Sequence, residues 1–191
     1  MVLNLAAMPS SVPSSLVQLL SAASVVGVSG SRRPSQASCW ALCVVLASTP
    51  GVVITGCAAG IDQVARQRVA PARLRVFRAA SRLPGVLAAR STACVRAVAA
   101  ASGLWLSFPG SPCPAGLAPS RSASACFSGS GSGSWASLAL ARGLGLPAIV
   151  FLPAGIMPPA LFGLHAVGQH AGAGGCWFFG PGSGQPSLFA S

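Results

Sequence analysis

The chain has 191 residues and a mass of 18.8 kDa, enough for one α/β domain with a core of its own. Twelve basic residues, all of them arginine, stand against a single acid, Asp62, for a net charge of +11 and a pI near 11.5. With no lysine, no glutamate and one carboxylate side chain, the sequence excludes a phosphate-loop lysine, a Schiff-base lysine, and the paired carboxylates of glycoside hydrolysis or of a two-metal centre.

In chain order, residues 1–23 read as an arm marked by Pro and Ser, with one short helix over Ser14–Ala22. An apolar run at Ser24–Ser29 predicts the first strand, ending abruptly at Gly30-Ser31-Arg32-Arg33-Pro34. A helix follows over Gln36–Ala47, stopped by Pro50-Gly51, and then a second strand over Val52–Thr55. Gly56–Gly60 leads into a helix from Ile61-Asp62 to about Val69, before Pro71. A third strand is expected over Leu74–Ala79, an alanine-rich helix over Val86–Ala101 and a fourth strand over Gly103–Phe108. Pro109–Ser128 reads as a long Pro- and Ser-marked loop, the kind that in a compact domain usually serves function. The Ser/Gly alternation at Ser128–Ser134 then runs into a helix over Trp135–Leu144 and a fifth strand over Pro147–Leu152.

Short apolar strands alternating with helices imply βαβ units and a doubly wound, mostly parallel sheet with helices on both faces, placed at residues 24–153. The remaining segment, 154–191, is charge-free and Gly-rich; its apolar run at Cys176–Phe179 leaves room for one further strand.

Mean hydropathy is +0.69 and 52% of residues are apolar, so a membrane origin needs weighing. Residues 34–61 carry no formal charge, but Pro50-Gly51 splits them, and a spanning helix wants about 20 uninterrupted residues. The N-terminus has no basic region ahead of an apolar one. The reading is a cytoplasmic protein with no membrane partner. Seven cysteines, at 39, 43, 57, 94, 113, 126 and 176, form no CxxC pair and no His-paired knuckle. They are expected as reduced core thiols, with no metal and no cofactor. His165 and His170 read as surface residues.

Ligands of parallel sheets bind at the carboxyl ends of the strands, near the switch in strand order. Three glycine-bearing loops should meet there: Gly30-Ser31-Arg32, Gly56–Gly60 and Gly129–Ser134. Glycine lets a phosphate approach the backbone, and the helix that follows supplies unpaired N–H groups and the positive end of its dipole.

These loops carry a resemblance. Val26-Gly27-Val28-Ser29-Gly30-Ser31-Arg32, Ile54-Thr55-Gly56-Cys57-Ala58-Ala59-Gly60-Ile61-Asp62 and Ser128–Trp135 resemble the DprA/Smf and LOG-type Rossmann proteins, over about Val25–Leu152. The resemblance implies a single Rossmann-like domain that binds a nucleotide or nucleic acid. LOG-type relatives release a base from a nucleoside monophosphate with a glutamate just after the Gly-x-Gly-Thr loop; aligned on Gly131-x-Gly133-Ser134, that position is Ser137 here. DprA-like relatives bind single-stranded DNA. Their His after Gly-Ile-Asp is Arg66 here, and their later Arg-Asn is at best Arg90-Ser91.

Eight arginines lie between Arg66 and Arg96, an electrostatic footprint for phosphate or for a nucleic-acid backbone, or a solvated face of an arginine-biased chain. Arg32 and Arg90 stand out, each close to a predicted loop edge. Asp62 has three candidate roles: capping its helix, holding a ribose hydroxyl, or pairing with an arginine such as Arg32. Trp105 and Trp135 read as packing residues, Trp135 being the better placed of the two to meet a base.

The expected ligand site is therefore Gly30, Ser31, Arg32, Gly56, Gly60, Asp62, Arg90, Gly131, Ser132, Gly133 and Ser134. Its expected function is non-catalytic binding of a nucleotide or a single-stranded nucleic acid. LOG-like phosphoribohydrolase activity is the alternative, and a homodimer is possible because related Rossmann proteins pair through helices.

Overall fold

Five β-branched or apolar runs, the first four each followed by a turn signal and a helix, dictate the order of elements. The computed structural model describes residues 12–129, 131–170 and 175–182. Helix α1 spans Ser14–Ala22, and strands β1 and β2, Val25–Gly30 and Val52–Gly56, flank α2 at Gln36–Ala47. Helix α3, Ile61–Arg68, leads through a 3-10 turn at Pro71–Arg73 to β3, Leu74–Phe77. Helix α4, Pro84–Ala100, precedes β4, Leu104–Phe108. The short helix α5, Ala123–Cys126, lies inside the long loop, and α6, Gly133–Gly143, precedes β5, Ala148–Pro153. Two further strands follow, β6 at His165–His170 and β7 at Gly175–Gly180.

The strands form one sheet in the order β3-β2-β1-β4-β5-β7-β6. The first five are parallel, with Val26 of β1 registered on both Val53 of β2 and Leu104 of β4; β7 and β6 join antiparallel. The order reverses between β1 and β4, because the chain winds outward to β3 and then crosses back through α4. This is the Rossmann-like architecture expected from the βαβ alternation.

Side chains alternate across the sheet, so each strand serves two cores. Val26, Val28, Leu104, Leu106, Phe108, Ile149 and Phe151 pack under α1, α2 and α3. Ile54, Trp105, Ala148, Val150 and Leu152 pack under α4 and α6. Buried on both faces, the strands read as continuous apolar runs.

Two departures from the sequence reading concern the ends. Helix α1, expected within an arm, belongs to the first core: Leu16 and Leu20 are fully buried. Burying two leucines is worth roughly 4 kcal/mol. Beyond residue 153 there are two strands where one was allowed for. Trp177 and Phe179 of β7 extend the core under α1–α3, Trp177 stacking edge-on to Phe151 with ring centres 4.9 Å apart. Arg142 of α6 closes this end by donating to the carbonyls of Phe162, Leu146, Gly180 and Pro181.

Element boundaries shift by one or two residues. Helix α6 starts at Gly133 rather than Trp135, and α4 at Pro84, where the missing N–H costs nothing in the first turn. Among the described residues, no helix is long and apolar enough to cross a membrane.

Candidate functional site

A parallel sheet delivers the carboxyl ends of its strands to one edge, and at the β1/β4 switch the two crossovers diverge to opposite faces. The crevice left between them is a cavity of about 700 Å³, within the usual range for a small-molecule site. Its walls come from the loop after β1 (Ser29–Arg32), the loop after β2 (Gly56, Ala58, Asp62), the first half of α4, the loop after β4 (Gly110, Ser111, Pro114) and the start of α6 (Gly131–Ser137).

Backbone bonds hold these loops in register. Ser31 N–H donates to Phe108 O at 2.9 Å, and Ile61 N–H donates to Ser31 O at 3.1 Å. Trp135 Nε1 donates to Ser111 O at 2.8 Å and fastens the β4 loop to α6. Gly60 takes a left-handed φ of +74°, and a Cβ there would collide with Ser31 O. Its glycine thus serves loop packing.

Of the expected residues, Gly30, Ser31, Arg32, Gly56, Asp62, Arg90, Gly131, Ser132, Gly133 and Ser134 all line the cavity; Gly60 does not. The glycines differ in what their bareness serves. A Cβ at Gly30 would lie 2.5 Å from Ile61 Cγ1, and one at Gly131 would collide with Pro114. At Gly133, as at Gly85 and Gly129 in the same wall, a Cβ would meet open space, and of the three Gly133 is the one in the first turn of α6.

Asp62 is 6% exposed and pairs with Arg90, not Arg32: Arg90 Nη1 donates to Asp62 Oδ2 at 3.1 Å. Nor does it cap its helix in the usual sense, since it accepts from Ala58 N–H, four residues back in the β2 loop, at 3.3 Å. Burial pushes the Asp62 carboxyl above its ordinary value, against the lowering pull of Arg90, the Ala58 N–H and Arg66. Arg66 donates to Gly56 O at 2.7 Å, so this member of the arginine run holds the loop rather than a ligand. Arg73 likewise donates to the carbonyls of Thr49 and Gly51. Of the run, Arg82 and Arg90 reach the cavity.

Helix α6 opens directly on the space. Ser132 stands at its N-cap but makes no side-chain cap bond; its hydroxyl lies 2.6 Å from that of Ser134. The N–H groups of the first turn have no intrahelical partner. Exposed Arg32 and Arg82 add positive charge, whereas Asp62 balances that of Arg90.

Trp135 is fully buried against Phe162, which makes it a packing residue. Cys94, one turn beyond Arg90, lines the cavity as an inert thiol pushed up to about 12 by burial. All seven cysteines are free, and His165 is exposed. Among the described residues, no His, Cys, Asp and Glu side chains group in a way that could hold a metal ion.

Sequence reasoning missed Ser29, Arg82, Gly110, Ser111, Pro114 and Phe127 as cavity residues. Ser29 was signalled by its place at the end of the first strand just ahead of Gly30, and the rest only collectively, by the long loop and the arginine run that hold them. The others sit in a long loop, or at a helix start, with no periodicity to place them.

Fold and site together define a doubly wound α/β protein with an arginine-edged cavity at its strand-order switch. No protein-family model, curated protein or solved structure matches this chain.

Proposed function

We propose that this protein binds a nucleotide, free or at the end of a single nucleic-acid strand, in the switch-point cavity and holds it without chemistry. The observation that carries this reading is the bare first turn of α6, Ser132-Gly133-Ser134, opening into a cavity edged by Arg32 and Arg82. Unpaired N–H groups at the positive end of a helix, serine hydroxyls and guanidinium forks are a phosphate-binding set. The resemblance of the three loops to DprA/Smf and LOG-type proteins supports the same ligand class. A cytoplasmic setting goes with it.

LOG-like hydrolysis draws no support from the site. Ser137, at the glutamate position, is buried and donates its hydroxyl to Gly133 O at 2.8 Å. Asp62 is held between Arg90 and the Ala58 N–H.

The test is calorimetric titration with nucleoside monophosphates, together with anisotropy of a labelled single-stranded oligonucleotide across a salt series. Saturable monophosphate binding that Gly133→Val abolishes is the expected result. Oligonucleotide binding that survives Gly133→Val and decays with salt alone would reduce the interaction to nonspecific attraction by a +11 chain. Absence of any monophosphate binding would overturn the reading.

A further inference from the structure

The floor of the cavity is made by the sheet itself, at the carboxyl ends of β1 and β2 and along β4. Val26 and Val28 turn to the α1–α3 core, so Ser29, one residue on, turns to the face that carries α4 and α6. Ser29 and Arg90 both line the cavity, and each carries a polar atom that is buried with no hydrogen-bond partner: Ser29 Oγ and Arg90 Nε. The Arg90 side chain is 8% exposed. Trp105 Nε1, from the neighbouring strand, is a third such atom in a residue of the same wall. Buried donors left unmade are costly, about 1–3 kcal/mol each, and in native proteins they usually mark a missing water or ligand.

We propose that this floor is a second, uncharged hydrogen-bonding subsite, taking the end of the ligand remote from its phosphate; the inference rests on the nucleotide reading above. The chemistry of the atoms names the group. Arginine Nε and indole Nε1 only donate, and a serine hydroxyl can donate, so the partner is an acceptor oxygen or nitrogen. A second anion does not suit the floor, because Asp62 already balances the Arg90 charge and its carboxylate would repel another. The acceptor therefore belongs to a ribose hydroxyl or to a base edge. Ser29 needs only a rotation about its Cα–Cβ bond to present its hydroxyl, whereas Asp62 holds Arg90 in place.

Ser107 supplies the control. It lies beside Ser29 in the β1–β4 register, is equally without a partner for its hydroxyl, and does not line the cavity. Titrations of wild type, Ser29→Ala and Ser107→Ala would use adenosine 5′-monophosphate, ribose 5-phosphate and inorganic phosphate, beside thermal melts of each unliganded protein. Ser29→Ala is expected to weaken adenosine 5′-monophosphate about three- to tenfold, to leave inorganic phosphate unchanged, and to keep or raise the unliganded Tm. Ser107→Ala should change no affinity. A loss shared by ribose 5-phosphate assigns the floor to the sugar; a loss confined to the full nucleotide assigns it to the base. An equal loss with inorganic phosphate, no loss with any probe, or a lowered unliganded Tm would overturn the subsite while leaving nucleotide binding intact. If wild type binds none of the three probes, it is the nucleotide reading that fails.

Discussion

Gly56 and Arg90 share one volume. A Cβ on Gly56 would overlap Arg90 Nη1 and stand 2.5 Å from Asp62 Oδ2, so the bare backbone at the end of β2 is what admits the buried ion pair. A glycine that reads in sequence as an approach for phosphate is, in the fold, the seat of an arginine. Gly56→Ala should then displace the guanidinium and lower stability by about 2–4 kcal/mol, through overpacking and the loss of the pair. A chemical-denaturation midpoint shift with an unchanged m-value would show it.

The two members of the pair are unequal. The Arg90 guanidinium cannot give up its charge, so Asp62→Asn leaves it 8% exposed with no counter-ion and should cost about 3 kcal/mol at pH 7. Arg90→Met leaves a carboxyl that keeps the Ala58 N–H and that burial already biases toward its protonated form, so it should cost less, about 1–2 kcal/mol. Denaturation of both variants at pH 7 gives the comparison. Equal losses would show the pair to be symmetric.

Acid should leave this protein folded. Acid unfolding usually comes from protonating carboxylates that are paired in the native state, and the chain has one Asp and no Glu. Asp62 has the opposite sign. Its native pKa lies above the ordinary 3.8, so its stabilising contribution is complete below that value and is lost as pH rises through the raised one. Stability measured from pH 7 down to pH 3 should therefore hold level or rise slightly. In Asp62→Asn the Asp62-linked part of that rise should vanish.

Gly133 and Gly131 are two residues apart and should respond in opposite ways. Alanine at 133 points into open cavity, so the unliganded Tm should hold or rise while monophosphate affinity falls at least tenfold. Alanine at 131 meets Pro114 and should lower Tm by several degrees. Thermal melts with and without ligand separate the two effects.

Arg142 ties α6 to the segments just before β5 and β6 and to the end of β7 through four carbonyls that lose their donor if it is removed. Arg142→Met should cost about 2–4 kcal/mol. Hydrogen exchange should quicken first in β7, at the end facing Gly180, ahead of β1 and β4.

The sequence by itself determined the elements and their order, because alternation of apolar runs with helical stretches reports how each segment buries one face or two. It also determined that the loops after β1 and β2 and the start of α6 share an edge, since parallel strands bring their carboxyl ends together whatever their order. The scarcity of acids, and with it the exclusion of paired-carboxylate chemistry, was likewise legible. Tertiary structure alone decided which arginine meets Asp62. The partner lies 28 residues away on α4, which reaches the β2 loop only because the chain crosses the sheet after β3 and packs back over β1 and β2. It decided too that Arg66 and Arg73 serve carbonyls, that Gly60 serves a turn, that α1 belongs to the core, and that residues beyond 153 close the sheet with two strands. Local spacing records the burial of a segment, whereas the partner of a charge or of an orphaned hydroxyl depends on elements brought together by strand order.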